Sequence, residues 1–342
     1  MKLKEFSTKL GLSPTTISRA LGGYPEVKED TRRRVAEAAA RYGYQPNQRA
    51  RALAMGQSSI IGHVLPETFT SEIVNPVFGD FIAGATETCK ARGFSVSLSI
   101  AAPAEEEAVY RRFKSEGSVA GVVLQGPSVD DRRIGLLNDV GLPFVVHGRA
   151  SKITEPYSWV DVNNNRAFNR ATGFLLDLGH ERIGLINGQL GFDFATRRHL
   201  GYETALQQAG VTRRADLQAS GDMTEANGYG AASQMLDGAD PPTAFVVASM
   251  ISAIGVRRAV HERGLELGRE ISLITYDDDL SYFSNRDSVP VFTAIRSSVR
   301  LAGQEVAGML ADQIADPDGP AKSILLEAEL VVGRSTGPNR AA

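Results

Sequence analysis

The sequence predicts an all-α helix-turn-helix head followed by an α/β body of two doubly wound parallel-sheet subdomains. The first 46 residues carry three short helical patterns and no strand-like run. From Ser58 onward, short apolar runs alternate with amphipathic segments long enough to cross a sheet face, the pattern of parallel strands joined by helices. About 280 residues of that pattern exceed one comfortable sheet, so the body divides into two lobes.

The head opens with Leu3, Phe6 and Leu10 at helical spacing, and Gly11 turns the chain. A second helix runs from Ser13 to Leu21 inside LSPTTISRALGG. Ser13 caps it, Pro14 sits in the first turn where its missing N–H costs nothing, and Gly22 and Gly23 close it. Ile17 and Leu21 make its apolar stripe, and Thr15, Thr16 and Arg19 fall together on the other side. A third helix, about Glu29 to Tyr42, buries Val35, Ala38, Ala39 and Tyr42 and stops at Gly43. After Pro46, NQRARALAMG reads as a two-turn helix capped by Asn47 and ended by Gly56, too short to be stable without a partner.

In the body, SIIGHVLPE, FSVSLSIA, VAGVVLQG, PFVVHG, WVDV, RIGLING, TAFVVA and ISLITYD read as strands. Between them lie crossover helices such as PVFGDFIAGATETCKARG, FNRATGFLLDLGH and RRHLGYETALQQAG. The division is then 1–46 for the head, 47–57 for a hinge helix and 58–342 for the body. Within the body, one subdomain takes about 58–161 and 295–325, the other about 162–294 and 326–342. Ligands of such sheets sit beyond the carboxyl ends of the strands, so two lobes place their strand ends on either side of one cleft.

Charge separates head from body. Residues 1–57 hold 11 Lys or Arg against 5 Asp or Glu, a charge of +6, which leaves −9 for the rest of a chain whose total is −3. A cationic module on an acidic body points to a polyanion partner for the module alone. The single cysteine, Cys89, excludes an internal disulfide framework and a cysteine metal cluster. The charged start MKLKEFSTKLGL lacks a signal-peptide core, and no run approaches the ~20 apolar residues of a membrane span, so a cytoplasmic protein without membrane contact is expected.

LSPTTISRALGGYPEVKEDTRRRVAEAAARYGYQPNQRARALAMG, SSIIGHVLPE, NPVF, LLDLGHERIGLING, RRHLGYETAL, ISLITYDD and the terminal VGRST occur in the order and spacing of one family. The chain resembles the LacI/GalR-family transcription regulators. The resemblance implies a homodimer whose heads bind a roughly palindromic double-stranded operator, and a body of the periplasmic-binding-protein type I kind that binds a small effector. The function expected is a sequence-specific DNA-binding regulator, a repressor of carbohydrate uptake or catabolism genes switched by a mono- or disaccharide. A purine or sugar phosphate acting as corepressor is the alternative; a solute receptor or a sugar-processing enzyme is more remote.

A major-groove reading face needs short polar side chains and an arginine, and Thr15, Thr16 and Arg19 supply it. Thr8, Ser13 and Asn47 suit phosphates, which fix register. By resemblance Leu53 wedges into the minor groove, with Arg49 and Arg51 on phosphates. Gly22 stands where the family commonly has a polar Asn, and Pro25 lies in the loop that follows.

For the effector, family motifs assign Arg198 and Asp277, the first aspartate of YDDD, as the sugar's main hydrogen-bonding groups. Asn75, Phe78, Arg149, Phe192, Asp193, Phe194, Met223 and Ser249 stand near strand ends as further lining. Phe78, Phe192 and Phe194 fit a core equally well, Arg149 fits a surface pair with Asp161 or Glu155, and Arg197 reads as solvated. Ser249 and Met250 replace an amide–carboxylate pair common in relatives, and Asn163 replaces a usual acid, so the bonding pattern there differs. Adjacent aspartates on a strand end diverge and cannot flank one bond as a glycosidase pair would. With no nucleophile elbow, phosphate loop or HExxH pattern, no catalytic residue, metal ligand or cofactor is expected. His180 in LGH reads as a helix-ending cation.

Overall fold

The chain is described by a computed structural model covering residues 3–21, 26–42, 44, 58–66, 75–102, 104–283, 285 and 288–340. The hinge at 47–57, with Asn47, Arg49, Arg51 and Leu53, lies outside the described residues, as do Gly22, Pro25 and Gly43. Two compact units result, 1–59 and 60–342.

The first unit is a helix-turn-helix: α1 (Leu3–Leu10), α2 (Pro14–Leu21) and α3 (Glu29–Tyr42). Its core gathers Phe6, Leu10, Ile17, Ala20, Val27, Val35, Ala39 and Tyr44. The buried ring is Tyr44, stacked 4.3 Å from Phe6, and not Tyr42, which is 43% exposed with Lys9 over its face. Tyr44 lies past the end of α3, so helical periodicity could not reach it. Arg34 of α3 donates to the carbonyl of Leu10 at 3.0 Å and closes the end of α1.

The second unit holds two six-stranded sheets. The first sheet is built from β1 (Ile60–Pro66), β2 (Ser95–Ala101), β3 (Gly121–Gln125), β4 (Phe144–His147), β5 (Ser158–Val162) and the late β11 (Ser323–Leu326), ordered β2-β1-β3-β4-β5-β11. All its pairings are parallel. Helices α4 (Pro76–Ala91) and α11 (Val299–Ala315) cover one face; α5 (Glu106–Glu116) and α6 (Arg132–Val140) cover the other. The second sheet runs β7 (Gln218–Ser220), β6 (Ile183–Asn187), β8 (Ala244–Val247), β9 (Ser272–Asp277), β10 (Thr293–Arg296), β12 (Glu329–Val331), with β12 antiparallel. Helices α7 (Asn164–Asp177) and α8 (Asp193–Gln208) lie on one face; α9 (Glu225–Leu236) and α10 (Met250–Glu262) lie on the other. Strands buried on both faces carry the unbroken apolar runs read from the sequence, as in IGLIN and AFVV.

The chain passes between lobes three times, between β5 and α7, between β10 and α11, and between β11 and β12. His180 departs from expectation. Its ring is buried and holds Thr243 at 3.0 Å, Ser272 at 2.9 Å and the Gly337 carbonyl at 3.0 Å, tying the residue before β8 and the first residue of β9 to the terminal segment. Burial lowers its pKa, so the ring is a neutral tie and not a cation at a helix end.

Helices α4 and α11 approach through glycines, because a Cβ on Gly303 would run into the Phe81 carbonyl and one on Gly84 into that of Arg300. Gly303→Ala should therefore cost roughly 1–3 kcal/mol of stability by forcing the helices apart. Gly173→Ala, in α7 with nothing within 4 Å, should gain roughly 0.5–1 kcal/mol. Urea unfolding of the two variants checks both signs.

Candidate functional site

In the head, Ser13 Oγ accepts the Thr16 amide at 3.0 Å, capping α2, and the Ser13 and Thr16 hydroxyls lie 2.8 Å apart. Ile17 and Ala20 are buried, whereas Thr8, Ser13, Thr15 and Arg19 are exposed and Thr16 is half-buried. The cap thus orients the first turn of a helix whose outer side presents Thr15 and Arg19 for contact.

In the second unit, the carboxyl ends of β3–β6, β8 and β9, together with Asn75 after β1, Gly221 to Met223 after β7 and Ser297 after β10, converge on a cleft of about 1200 Å³ that includes its open mouth. Three of the helices that begin on its wall are capped by a side chain that itself lines the cleft. Asn75 Oδ1 accepts from Val77 N at 3.0 Å, Ser249 Oγ from Ile251 N at 3.1 Å and Ser298 Oγ from Leu301 N at 3.3 Å. Of the ten sequence-assigned ligand residues, Asn75, Arg149, Phe192, Phe194, Arg198, Met223 and Ser249 line the cleft. Phe192 and Phe194 stack 5.8 Å apart and form an aromatic wall.

Phe78, Asp193 and Asp277 do not line it. Phe78 is 5% exposed and packs its ring against His63, so it belongs to the core. Asp193 turns to the other lobe, where it accepts from the Ser151 amide at 2.6 Å and hydroxyl at 3.0 Å. Asp277 is buried and accepts the Asp279 amide at 2.8 Å, and Asp279 itself takes φ 56°. That turn brings Asp278 to the cleft instead. The aspartates of YDDD diverge, and the second faces the cavity. Burial, opposed by Arg198 and reinforced by Asp277, pushes the Asp278 carboxyl up to about 7.

Arg198 rises from the second turn of α8 and is 6% exposed. Its Nε donates to Asn164 Oδ1 at 2.8 Å and its Nη1 to the Ala248 carbonyl at 2.8 Å; its guanidinium lies 4.1 Å from the Tyr276 ring centre and 4.9 Å from that of Phe194. Burial lowers its pKa, yet an arginine keeps its charge, so these partners fix the fork in one orientation. Arg149 donates to Asp161 at 2.8 Å and stacks 4.8 Å over Trp159. Arg197 is not solvated: its side chain is 13% exposed and reaches Asp161 at 3.0 Å and Asp193 at 2.5 Å. Burial raises the Asp161 carboxyl despite both arginines.

Sequence reasoning passed over Gln125, His147, Asn164, Gln189, Tyr276 and Asp278 as lining residues. A signal existed, since each lies at or just past the end of an apolar strand run or, for Asn164, at the start of a helix. Burial takes His147 down to about 4 and, with the nearby His147 and Arg133, His63 behind it to about 3, so both rings are neutral near pH 7. Among the described residues, His147 Nδ1 and Gln125 Oε1 are buried with no hydrogen-bond partner.

Residues 2–47 match the bacterial regulatory proteins of the lacI family, and residues 172–336 match the periplasmic binding protein-like domain. The chain is 40% identical to the HTH-type transcriptional regulator AglR of Rhizobium meliloti over 340 residues, covering 99% of this chain and 95% of that protein. It is 31% identical to RafR of Escherichia coli, covering 91% of each. A solved complex of the transcriptional regulator CelR with cellobiose superposes with TM-score 0.72 at 26% identity, covering 98% of this chain and 99% of that one. The lac repressor dimer bound to operator and the anti-inducer ONPF gives 0.76 at 25%, with the same coverage. These relatives are named as transcriptional regulators, and no described helix is long and apolar enough to cross a membrane. With its helix-turn-helix head and two-lobed body, the chain belongs to the LacI family of DNA-binding transcriptional regulators.

Proposed function

We propose that this regulator is a cytoplasmic homodimeric repressor of carbohydrate uptake or catabolism genes, switched by a neutral mono- or disaccharide bound between its lobes. The observation that carries the reading is the chemistry of the cleft: an aromatic pair beside planar hydrogen-bonding groups, with both lining arginines already engaged by Asn164, Ala248 and Asp161. Such a wall suits a sugar ring and its hydroxyls. A phosphate would instead meet the carboxyl groups of Asp161 and Asp278 on the same wall, which weighs against a sugar phosphate. The cellobiose held by CelR, a relative of similar fold, supports the same class.

Asp278, facing Arg198, accepts sugar hydroxyls in this reading. Stacking falls to Phe192 and Phe194; Asn75, Arg149, Met223 and Ser249 complete the wall, while Phe78, Asp193 and Asp277 act behind it. Thr15, Thr16 and Arg19 read bases in the major groove; Thr8, Ser13, Asn47 and Arg51 hold phosphates and Leu53 enters the minor groove. Dimerisation is supported by edge strand β2, where Leu98 is 46% and Ile100 55% exposed. Effector binding favours one arrangement of the lobes, and the operator favours one arrangement of the hinges; the switch is the difference between those affinities.

Fluorescence anisotropy on the protein's own promoter fragment, with neutral disaccharides set against sugar phosphates and purines, tests the whole reading; a response only to phosphates or purines would overturn the sugar assignment. Arg19→Ala should lose about 1–3 kcal/mol of discrimination between operator and scrambled duplex while effector affinity holds. Asp278→Asn should weaken the effector by about 1.5–3 kcal/mol with operator binding intact. The same variant has a pH signature. The parent carboxyl titrates near 7 when folded against 3.8 when unfolded, so the parent loses stability as pH rises through that window. The Tm of Asp278→Asn relative to the parent should therefore climb from about pH 4 to pH 7 and level off above, read by calorimetry.

A further inference from the structure

The residue beside Arg198 carries a second role. Arg197 bridges the lobes: from α8 in one lobe it reaches Asp161 at the end of β5 in the other at 3.0 Å and the Ser151 hydroxyl after β4 at 3.0 Å. Asp193, one turn earlier on α8, holds Arg197 at 2.5 Å and accepts from both the amide and the hydroxyl of Ser151. The Asp193 amide in turn donates to the Pro127 carbonyl at 3.0 Å, so the start of α8 is fastened to two loops of the opposite lobe. Asp193 is 1% and Asp161 5% exposed, so these charges meet with little water between them. The same Asp161 accepts from Asn164 Nδ2 at 3.3 Å, and Asn164 Oδ1 holds Arg198 Nε. An unbroken polar chain therefore runs Asp193, Arg197, Asp161, Asn164, Arg198, crossing the point where β5 hands the chain to α7 in the second lobe.

We propose that Arg197 is a positioning residue of the effector cleft: it latches the closed lobes through Asp193, Ser151 and Asp161, and through Asp161 and Asn164 it aims the fork of Arg198 at the bound molecule. This rests on the cleft being the effector site. Opening the lobes breaks Arg197 from Asp161, leaves Asn164 Nδ2 to the Val162 carbonyl at 3.0 Å as Asp161 moves away, and so loosens one of the two acceptors that fix Arg198, the other being the Ala248 carbonyl. A ligand that needs Arg198 in place then binds the latched arrangement more tightly, which couples occupancy to closure. Arg197 touches no ligand in this scheme; its fork holds two carboxylates at once, which a lysine ammonium cannot match in geometry.

Hydrogen exchange on the full-length, unliganded protein reads the latch directly, because the amides of Ser151 and Asp193 are themselves latch donors. In Arg197→Gln, peptides containing those amides should exchange at least about tenfold faster, as expected when a desolvated ion pair loses one partner, while the β9 core peptide exchanges at the parental rate. Ser151→Ala removes only the hydroxyl contacts and should show the same pattern more weakly, which keeps the test valid if the charge variant folds poorly. Arg197→Lys should fall between parent and glutamine. Arg111→Gln, which breaks an exposed i,i+4 pair on α5, should change nothing. Parental exchange at Ser151 and Asp193 in both Arg197→Gln and Ser151→Ala would overturn the latch. For the aiming of Arg198, calorimetric titration of parent and Arg197→Gln with cellobiose and a panel of neutral disaccharides should give a dissociation constant raised at least about tenfold, partly recovered in Arg197→Lys. Equal affinity in parent and Arg197→Gln would overturn the positioning role. A parent that binds no disaccharide overturns the sugar reading of the cleft, and the exchange experiment still decides the latch.

Discussion

A guanidinium that cannot lose its proton is buried on the second lobe's wall of the cleft, and much of that wall is arranged to satisfy it. Arg198 needs acceptors that face inward, and it finds them at the first turn of α7 and the end of β8, with the Tyr276 ring of β9 beneath it. Three elements from different parts of the chain are thereby held in register at one place. Removing the charge would leave Asn164 Oδ1 and the buried Ala248 carbonyl without their donor; moving it would separate the elements it joins. The carboxyl of Asp278 feels the same enclosure and sits high, so the cleft holds an acid and a base whose ordinary solvation has been replaced by each other and by fixed dipoles.

The fold class was legible because it rests on period and alternation. Apolar runs such as GVVLQ and IGLIN are the direct imprint of strands covered on both faces, and Ser13–Pro14 marks the start of α2 in the sequence as it does in the fold. The cleft was legible at the level of strand ends, which placed Arg149 and Ser249 near it, while the family motifs placed Arg198 and the YDDD segment there. The direction each side chain takes was not. Asp277 and Asp278 differ by one residue, and only the turn closed by the Asp279 amide decides which faces the cavity. Arg197 and Arg198 differ likewise by one residue on a helix, about 100° of rotation, and so look into different surroundings. Tyr44 was passed over in favour of Tyr42, and His180 misjudged, for a related reason: both Tyr44 and His180 lie just past a helix end, where the chain folds back and local periodicity no longer applies.

The two sheets share one strand order at their cores, second strand outermost, then first, third, fourth and fifth, although no internal repeat is visible in the sequence. Burial on both faces constrains the class of residue along each strand and leaves its identity open, so the lobes keep an architecture without keeping a pattern. Their helix caps carry a double duty. Asn75, Ser249 and Ser298 each satisfy an amide of their own helix while lining the cleft, so altering them to suit another ligand also weakens a helix start.

Trp159 is the one tryptophan of the chain, two residues before Asp161 on β5, with the Arg149 guanidinium lying over its ring. An indole's emission shifts with the charge above it, and this charge belongs to a group on the cavity wall. The protein consequently carries an unlabelled optical gauge of its own occupancy: any guest that draws Arg149 off the indole registers as a colour change from a single, unambiguous source.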